Sequence, residues 1–250
     1  MRLELLLHFE EPFLIPYNYP RSLYSFLIHA IELGDERISK RIHTNKKDVK
    51  FVASRLLPLG KVKKTEKGLL VEQGRIRLFV GSSAWPVLEA LVNGLGSGAG
   101  ELHIGGRRLL EAEIKTVKTP GRLSDRRFRT LSPVSVYHNG PPNGFRSWDL
   151  SPVGQQNSPF EDEPAVWKEL VFRNLREKYL MVHGEPHEGD FGIEVFLRNV
   201  RSKMFRIKGM NVRAWEFEFR MWGDEEFLRV AWDIGLGMRN THGFGMVEVM

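Results

Sequence analysis

Two short segments hold residue types that could act on a phosphate chain. Residues 235–245 read GLGMRNTHGFG, with Gly235 and Gly237 on one side and Gly243 and Gly245 on the other. Glycine has no Cβ, so its backbone takes positive φ and can lie flat against a ligand. Gly237 and Gly243 are therefore candidate backbone contacts, and Arg239 and His242 between them are candidate partners of phosphate oxygens. The same glycines would also serve a plain turn joining a helix to a terminal strand. The second segment, residues 43–50, carries His43, Lys46, Lys47 and Lys50. The unperturbed pKa of histidine lies near neutrality, so His43 could act as acid or base. Lys47 or Lys50 could neutralise charge that develops at a reacting phosphate.

The charge distribution points to the same kind of ligand. The net charge is +6, yet residues 37–67 alone hold eleven Lys or Arg against two acidic residues, a local +9. Further clusters are Arg122, Arg126, Arg127 and Arg129, then Arg198, Arg201, Lys203, Arg206 and Lys208. Such surfaces attract polyanions by releasing condensed counterions. Arg129, Arg206, Lys208, Lys46 and Lys47 join the loop residues as candidate nucleic-acid contacts. A solvated face on a charge-rich protein would give similar clusters.

Other chemistries find less support. The chain has no cysteine, which removes disulfides, thiolate catalysis and cysteine zinc sites, and fits a cytoplasmic location. His183 and His187 lie near Glu185, Glu188 and Asp190 in a hydrophilic turn without ligand geometry, so neither a metal nor a cofactor is expected. No run of about 18 apolar residues is present, and no secretion signal is expected at the N-terminus.

The elements that position these residues follow from hydrophobic period. Residues 2–9 read as a buried strand. Leu23, Phe26, Leu27, Ala30 and Ile31 form the stripe of a helix over 23–33. Strands are expected at 51–57, 69–71 and 75–80, a helix at 84–95, and a closing strand or hairpin at 101–116. The second half repeats that order. It has a strand at 127–137 and a polar loop at 141–156. Its helix runs from a capping box at Ser158, Pro159 and Glu161 to about His183. Strands then fall at 191–200, 205–207 and 212–221, followed by a helix at Glu225–Ile234 and a final strand at 245–250. The order β-α-β-β-α-β, given twice, predicts an α+β fold of two tandem ferredoxin-like (RRM-like) βαββαβ domains, residues 1–120 and 126–250.

The glycine segment, in a GhGxxxxxGFGxh pattern near the C-terminal end, resembles the glycine-rich loop of the RAMP proteins, the RNA-binding proteins of CRISPR systems. The start, MRLELLL and then Ile15-Pro-Tyr-Asn-Tyr, is similar to the Cas Six branch of that superfamily, the endoribonucleases that cut CRISPR repeat transcripts. Residues 90–95 (ALVNGL), 130–134 (TLSPV) and 205–208 (FRIK) extend the resemblance along the chain. It implies the same double ferredoxin-like architecture and single-stranded CRISPR repeat RNA as partner. A homodimer and effector-complex proteins stay open as further partners.

The resemblance also implies a mechanism. Relatives use a tyrosine late in the first helix, a histidine at the following turn and a lysine a few residues beyond, without a metal. The histidine corresponds to His43, and the lysine to Lys50 if one residue is inserted. Ile28 stands in the tyrosine position, with His29 one step around the helix, about 100° away. Three readings follow: a repeat endoribonuclease using His43 and a lysine, a binding paralogue that does not cut, or a structural subunit of an effector complex.

Overall fold

The computed structural model describes residues 1–44, 51–142, 144, 146–207 and 209–250. It has a mixed α/β fold of two units, Met1–Thr119 with Thr241–Gly243, and Pro120–Asn240 with Phe244–Met250.

In the first unit, strand Arg2–Phe9 buries Leu3, Leu5, Leu7 and Phe9, the period-two pattern of a strand with one face in the core. It pairs antiparallel with Arg75–Ser82 on one side and Arg107–Val117 on the other. Phe51–Ala53 adds to the outer edge of Arg75–Ser82. Helices α1 (Pro20–Gly34) and α3 (Trp85–Ser97) pack on each other. Their approach is set by small residues. A Cβ on Gly94 would sit 1.7 Å from the carbonyl oxygen of Ala30, and one on Gly34 would sit 1.9 Å from that of Ala90. Phe9, Phe13, Phe26 and Leu88 lie in the core. Burying such a side chain stabilises the fold by roughly 1.5–3 kcal/mol.

A short helix, α2 (Glu36–Thr44), follows α1 where no helical stripe is visible in the sequence. Asp35 makes the break. Its backbone N–H closes α1 on Ile31, and its carboxylate accepts from the N–H groups of Arg37 (2.8 Å) and Ile38 (3.2 Å). That is N-capping by a residue type suited to it. His43 therefore lies in the last turn of a helix and not in a loop. The expected strand 51–57 is two pieces, Phe51–Ala53 and Leu57–Pro58, both paired with Arg75–Ser82.

The second unit has a four-stranded sheet in the order Phe191–Ile207, Met210–Gly223, Arg126–Thr130, Val247–Val249. Its core includes Trp167, Phe217, Phe219 and Phe227, with α4 (Glu163–His183) and α5 (Glu225–Ile234) supplying helical residues. The capping box expected at Ser158 is not the helix start. α4 begins at Glu163, with Asp162 accepting from the N–H of Ala165 (3.0 Å) and Pro164 in the first turn. Ser158 instead accepts from Phe160 (3.2 Å) in the preceding turn. The strand expected over 127–137 ends at Thr130. The strands expected at 191–200 and 205–207 are one strand, whose register shifts between Phe196 and Arg201. None of the described helices is long and apolar enough to cross a membrane.

Candidate functional site

Three rings meet in the first unit. Tyr24 projects from α1, one turn before Ile28. The His242 ring stacks on it at 4.4 Å between centroids and 3° between planes. His43, from the last turn of α2, meets Tyr24 edge-on at 6.5 Å and 86°. Tyr24 and His242 are half-buried and His43 is exposed. Burial pushes the Tyr24 hydroxyl above its ordinary value, so it stays neutral at physiological pH. Thr241 Oγ1 lies 3.2 Å from His242 Nδ1. Gly243, at φ +81°, runs over α1: a Cβ there would lie 2.8 Å from Leu23 Cδ2, so the backbone that presents His242 needs glycine. The cluster thus offers two imidazoles and a neutral phenol, groups suited to proton transfer and hydrogen bonding.

Ile28, which the sequence reading sets in the tyrosine position, is buried in the core of the first unit. His29 is partly exposed, with Nδ1 3.6 Å from Glu32. Of the sequence candidates, His43 and His242 are brought together, and Tyr24 was missed. The signal for it was present: residues four apart in a helix share a face, so a tyrosine one turn from Ile28 lies beside it. Lys46, Lys47 and Lys50 lie outside the described residues, as does Lys208.

The rest of the glycine segment is held within the second unit. Gly237 is buried at φ +64°, and a Cβ there would lie 2.6 Å from the carbonyl oxygen of Ser135. Arg239, itself at φ 59°, donates to Ser135 Oγ (2.8 Å) and stacks its guanidinium on Tyr137 at 4.4 Å. Asp149 feels its charge: burial raises that carboxyl, while the Arg213 backbone N–H and the charges of Arg239 and Arg213 oppose the rise. Asn240 donates to the carbonyls of Leu236 (3.0 Å) and Phe244 (3.1 Å). A second residue the sequence did not mark is Lys178 of α4. Its buried ammonium donates to the carbonyls of Gly235 (2.6 Å) and Gly237 (2.7 Å). Gly237 and Arg239, both candidate ligand contacts from the sequence, make these contacts within the protein.

Several basic residues have carboxylate partners. Arg129 pairs with Glu248 on the adjacent strand, and Arg220 with Asp125. Lys40 pairs with Glu36, and Lys63 with Glu72, both at 2.6 Å on the exposed surface. Arg206 is exposed on the long hairpin. Among the described residues no group of three or more His, Asp or Glu could hold a metal ion.

Comparison with known proteins gives this geometry a context. The family models "CRISPR associated protein Cas6, C-terminal" and "CRISPR-associated protein Cas6, N-terminal" match residues 117–249 and 14–115. The CRISPR-associated endoribonuclease Cas6 of Pyrococcus furiosus is 30% identical over 245 residues, covering 96% of this chain and 85% of the relative. A solved Cas6-related protein of Pyrococcus furiosus is 27% identical with a TM-score of 0.83, covering 100% of this chain and 98% of that one. A solved RAMP protein described as binding different RNA substrates is 25% identical with a TM-score of 0.81, covering 100% and 99%.

Proposed function

Because the chain belongs to the Cas6 family of CRISPR-associated proteins, we propose that it binds single-stranded CRISPR repeat RNA and cuts it without a metal ion. The observation that carries the reading is the contact of Tyr24 with His43 in the first unit. In this reaction the 2′-OH loses its proton and attacks the adjacent phosphorus. The bond to the 5′-oxygen breaks, and that oxygen takes up a proton. The products are a 2′,3′-cyclic phosphate and a 5′-OH, with no redox change and no cofactor. His43 serves as a proton-transfer group, Tyr24 replaces the tyrosine missing at position 28, and a lysine of the 46–50 segment steadies the charged phosphate. The exposed Lys and Arg residues on and near α2 attract the RNA backbone.

The proposal includes the finer fold. In both units the strand order supports a ferredoxin-like reading. Numbering the main strands of each unit one to four along the chain, both sheets run four, one, three, two, with antiparallel pairing. Incubating the protein with end-labelled repeat RNA in EDTA tests the activity, with cleavage and gel retention followed on the same samples. The expected result is retained RNA and a product ending in a cyclic phosphate. RNA that is retained and never cut would leave a binding protein in place of a nuclease.

A further inference from the structure

Cleavage of this kind moves two protons, one from the 2′-OH and one to the leaving 5′-oxygen, and His43 supplies only one group. We propose that His242 is the second proton-transfer group of the site, an inference that rests on the nuclease reading above.

The geometry carries it. An in-line displacement puts the attacking and leaving oxygens on opposite sides of phosphorus, so the two groups must flank a phosphate from different directions. His242 lies face-on to Tyr24 at 4.4 Å, and His43 meets the same ring edge-on at 6.5 Å. Both imidazoles therefore meet one neutral phenol, with their ring planes nearly perpendicular to each other. His242 is also built into place. Thr241 Oγ1 sits 3.2 Å from Nδ1, and the Gly243 turn packs on Leu23, the neighbour of Tyr24 on α1. Tyr19 lies beside that turn, 4.0 Å from where a Gly243 Cβ would be. A pair of imidazoles, one protonated and one neutral, performs both transfers near pH 7. One imidazole with a phenol that stays neutral is less suited to taking a proton.

The test uses two substrates: repeat RNA, and the same RNA with sulfur in place of the 5′-bridging oxygen at the mapped cut. A thiolate leaves without being protonated, so the sulfur substrate does not need the acid. On ordinary RNA, His242→Ala and His43→Ala are each expected to cut about 10²–10⁴-fold more slowly, with retention on gels unchanged. On the sulfur substrate one of the two variants should recover and the other should not, which assigns acid and base. His242→Phe keeps a ring stacked on Tyr24 and should be as slow as His242→Ala, which separates proton transfer from packing. The proposal is overturned if His242→Phe cuts at the native rate, if cleavage falls only in step with lost RNA retention, or if sulfur rescues neither variant. If the native protein retains both RNAs and cuts neither, the nuclease reading itself has failed.

Discussion

Tyr24 and Tyr179 each carry two histidine rings in nearly the same arrangement. Tyr24 has His242 stacked at 4.4 Å and His43 edge-on. Tyr179 has His183 stacked at 4.1 Å and His187 edge-on at 4.8 Å. Their surroundings differ. His43 shares a short helix with exposed Arg37, Lys40 and Arg41. Around Tyr179 carboxylates predominate: Glu226 accepts from its hydroxyl (3.4 Å), Asp224 lies 3.8 Å from His187 Nε2, and Arg229, in the same cleft as His183, is paired with Glu225. His187 is also stacked on Phe227 at 4.1 Å. A phosphate chain is drawn to the first group and repelled by the second. The residue types alone do not distinguish a site from a packed aromatic cluster; the neighbouring charge does.

The largest expected effect comes from breaking this comparison at its histidines. His43→Ala should lower the rate of repeat RNA cleavage by about 10²–10⁴-fold, while His183→Ala should leave it unchanged. Single-turnover rates at saturating protein measure both. Equal losses in the two variants would mean that the histidines act through stability alone, and the contrast drawn from charge would fail.

The next effect separates the two ends of the glycine segment. Lys178→Met removes the ammonium from the carbonyls of Gly235 and Gly237. Leaving buried acceptors without partners costs roughly 1–3 kcal/mol, to be read as a lower urea midpoint. Ordinary RNA and sulfur-substituted RNA should then be slowed alike, because Lys178 holds the loop and moves no proton. Recovery on the sulfur substrate would give Lys178 a part in the chemistry.

The uneven legibility of the sequence has physical causes. Strand Arg2–Phe9 and helix Glu225–Ile234 were readable because their buried residues recur at the period of one face. Helix α2 was not, because only Ser39 and Ile42 of its nine residues are buried and the rest are mostly charged or polar. The start of α4 was misread because Ser158 with Pro159 and Asp162 with Pro164 carry the same cap-then-proline signal, and only one could be the start. The long strand Phe191–Ile207 looked like two because residues 197–200 stand opposite the single residue Phe217 in its partner. At the site, His43 and His242 were visible as types. Their meeting on Tyr24 was not, since it joins positions far apart in the chain.

A smaller effect should follow from flattening each aromatic group. Tyr24→Leu removes the ring on which His242 stacks, a contact worth roughly 0.5–1.5 kcal/mol. Cleavage should fall while RNA retention holds. Tyr179→Leu should lower the melting temperature through loss of packing in the second unit and leave the cleavage rate of the folded protein intact. The reverse pattern would exchange the roles assigned to the two clusters.

The smallest effect lies in alkaline solution and compares the two phenols directly. Burial raises the Tyr24 hydroxyl; burial first, and then the charge of Glu226, raises that of Tyr179. In each case the folded chain holds the proton more tightly than the unfolded chain. The unfolded state then binds fewer protons above about pH 10, the ordinary tyrosine value, so stability falls as pH rises through the folded values. The contribution is fully present below the unfolded value, so nothing should change at neutral pH. Tyr24→Phe keeps the ring for His242 and removes the ionising group. Its melting temperature should match the native protein at pH 7 and decline less steeply above pH 10. Tyr179→Phe should shallow the same decline, but it also removes the hydroxyl that donates to Glu226 and should show a small loss already at neutral pH. Melting curves of the three proteins across that range provide the measurement. A Tyr24→Phe curve as steep as the native one would mean that the Tyr24 hydroxyl is as open to solvent in the folded chain as in the unfolded one.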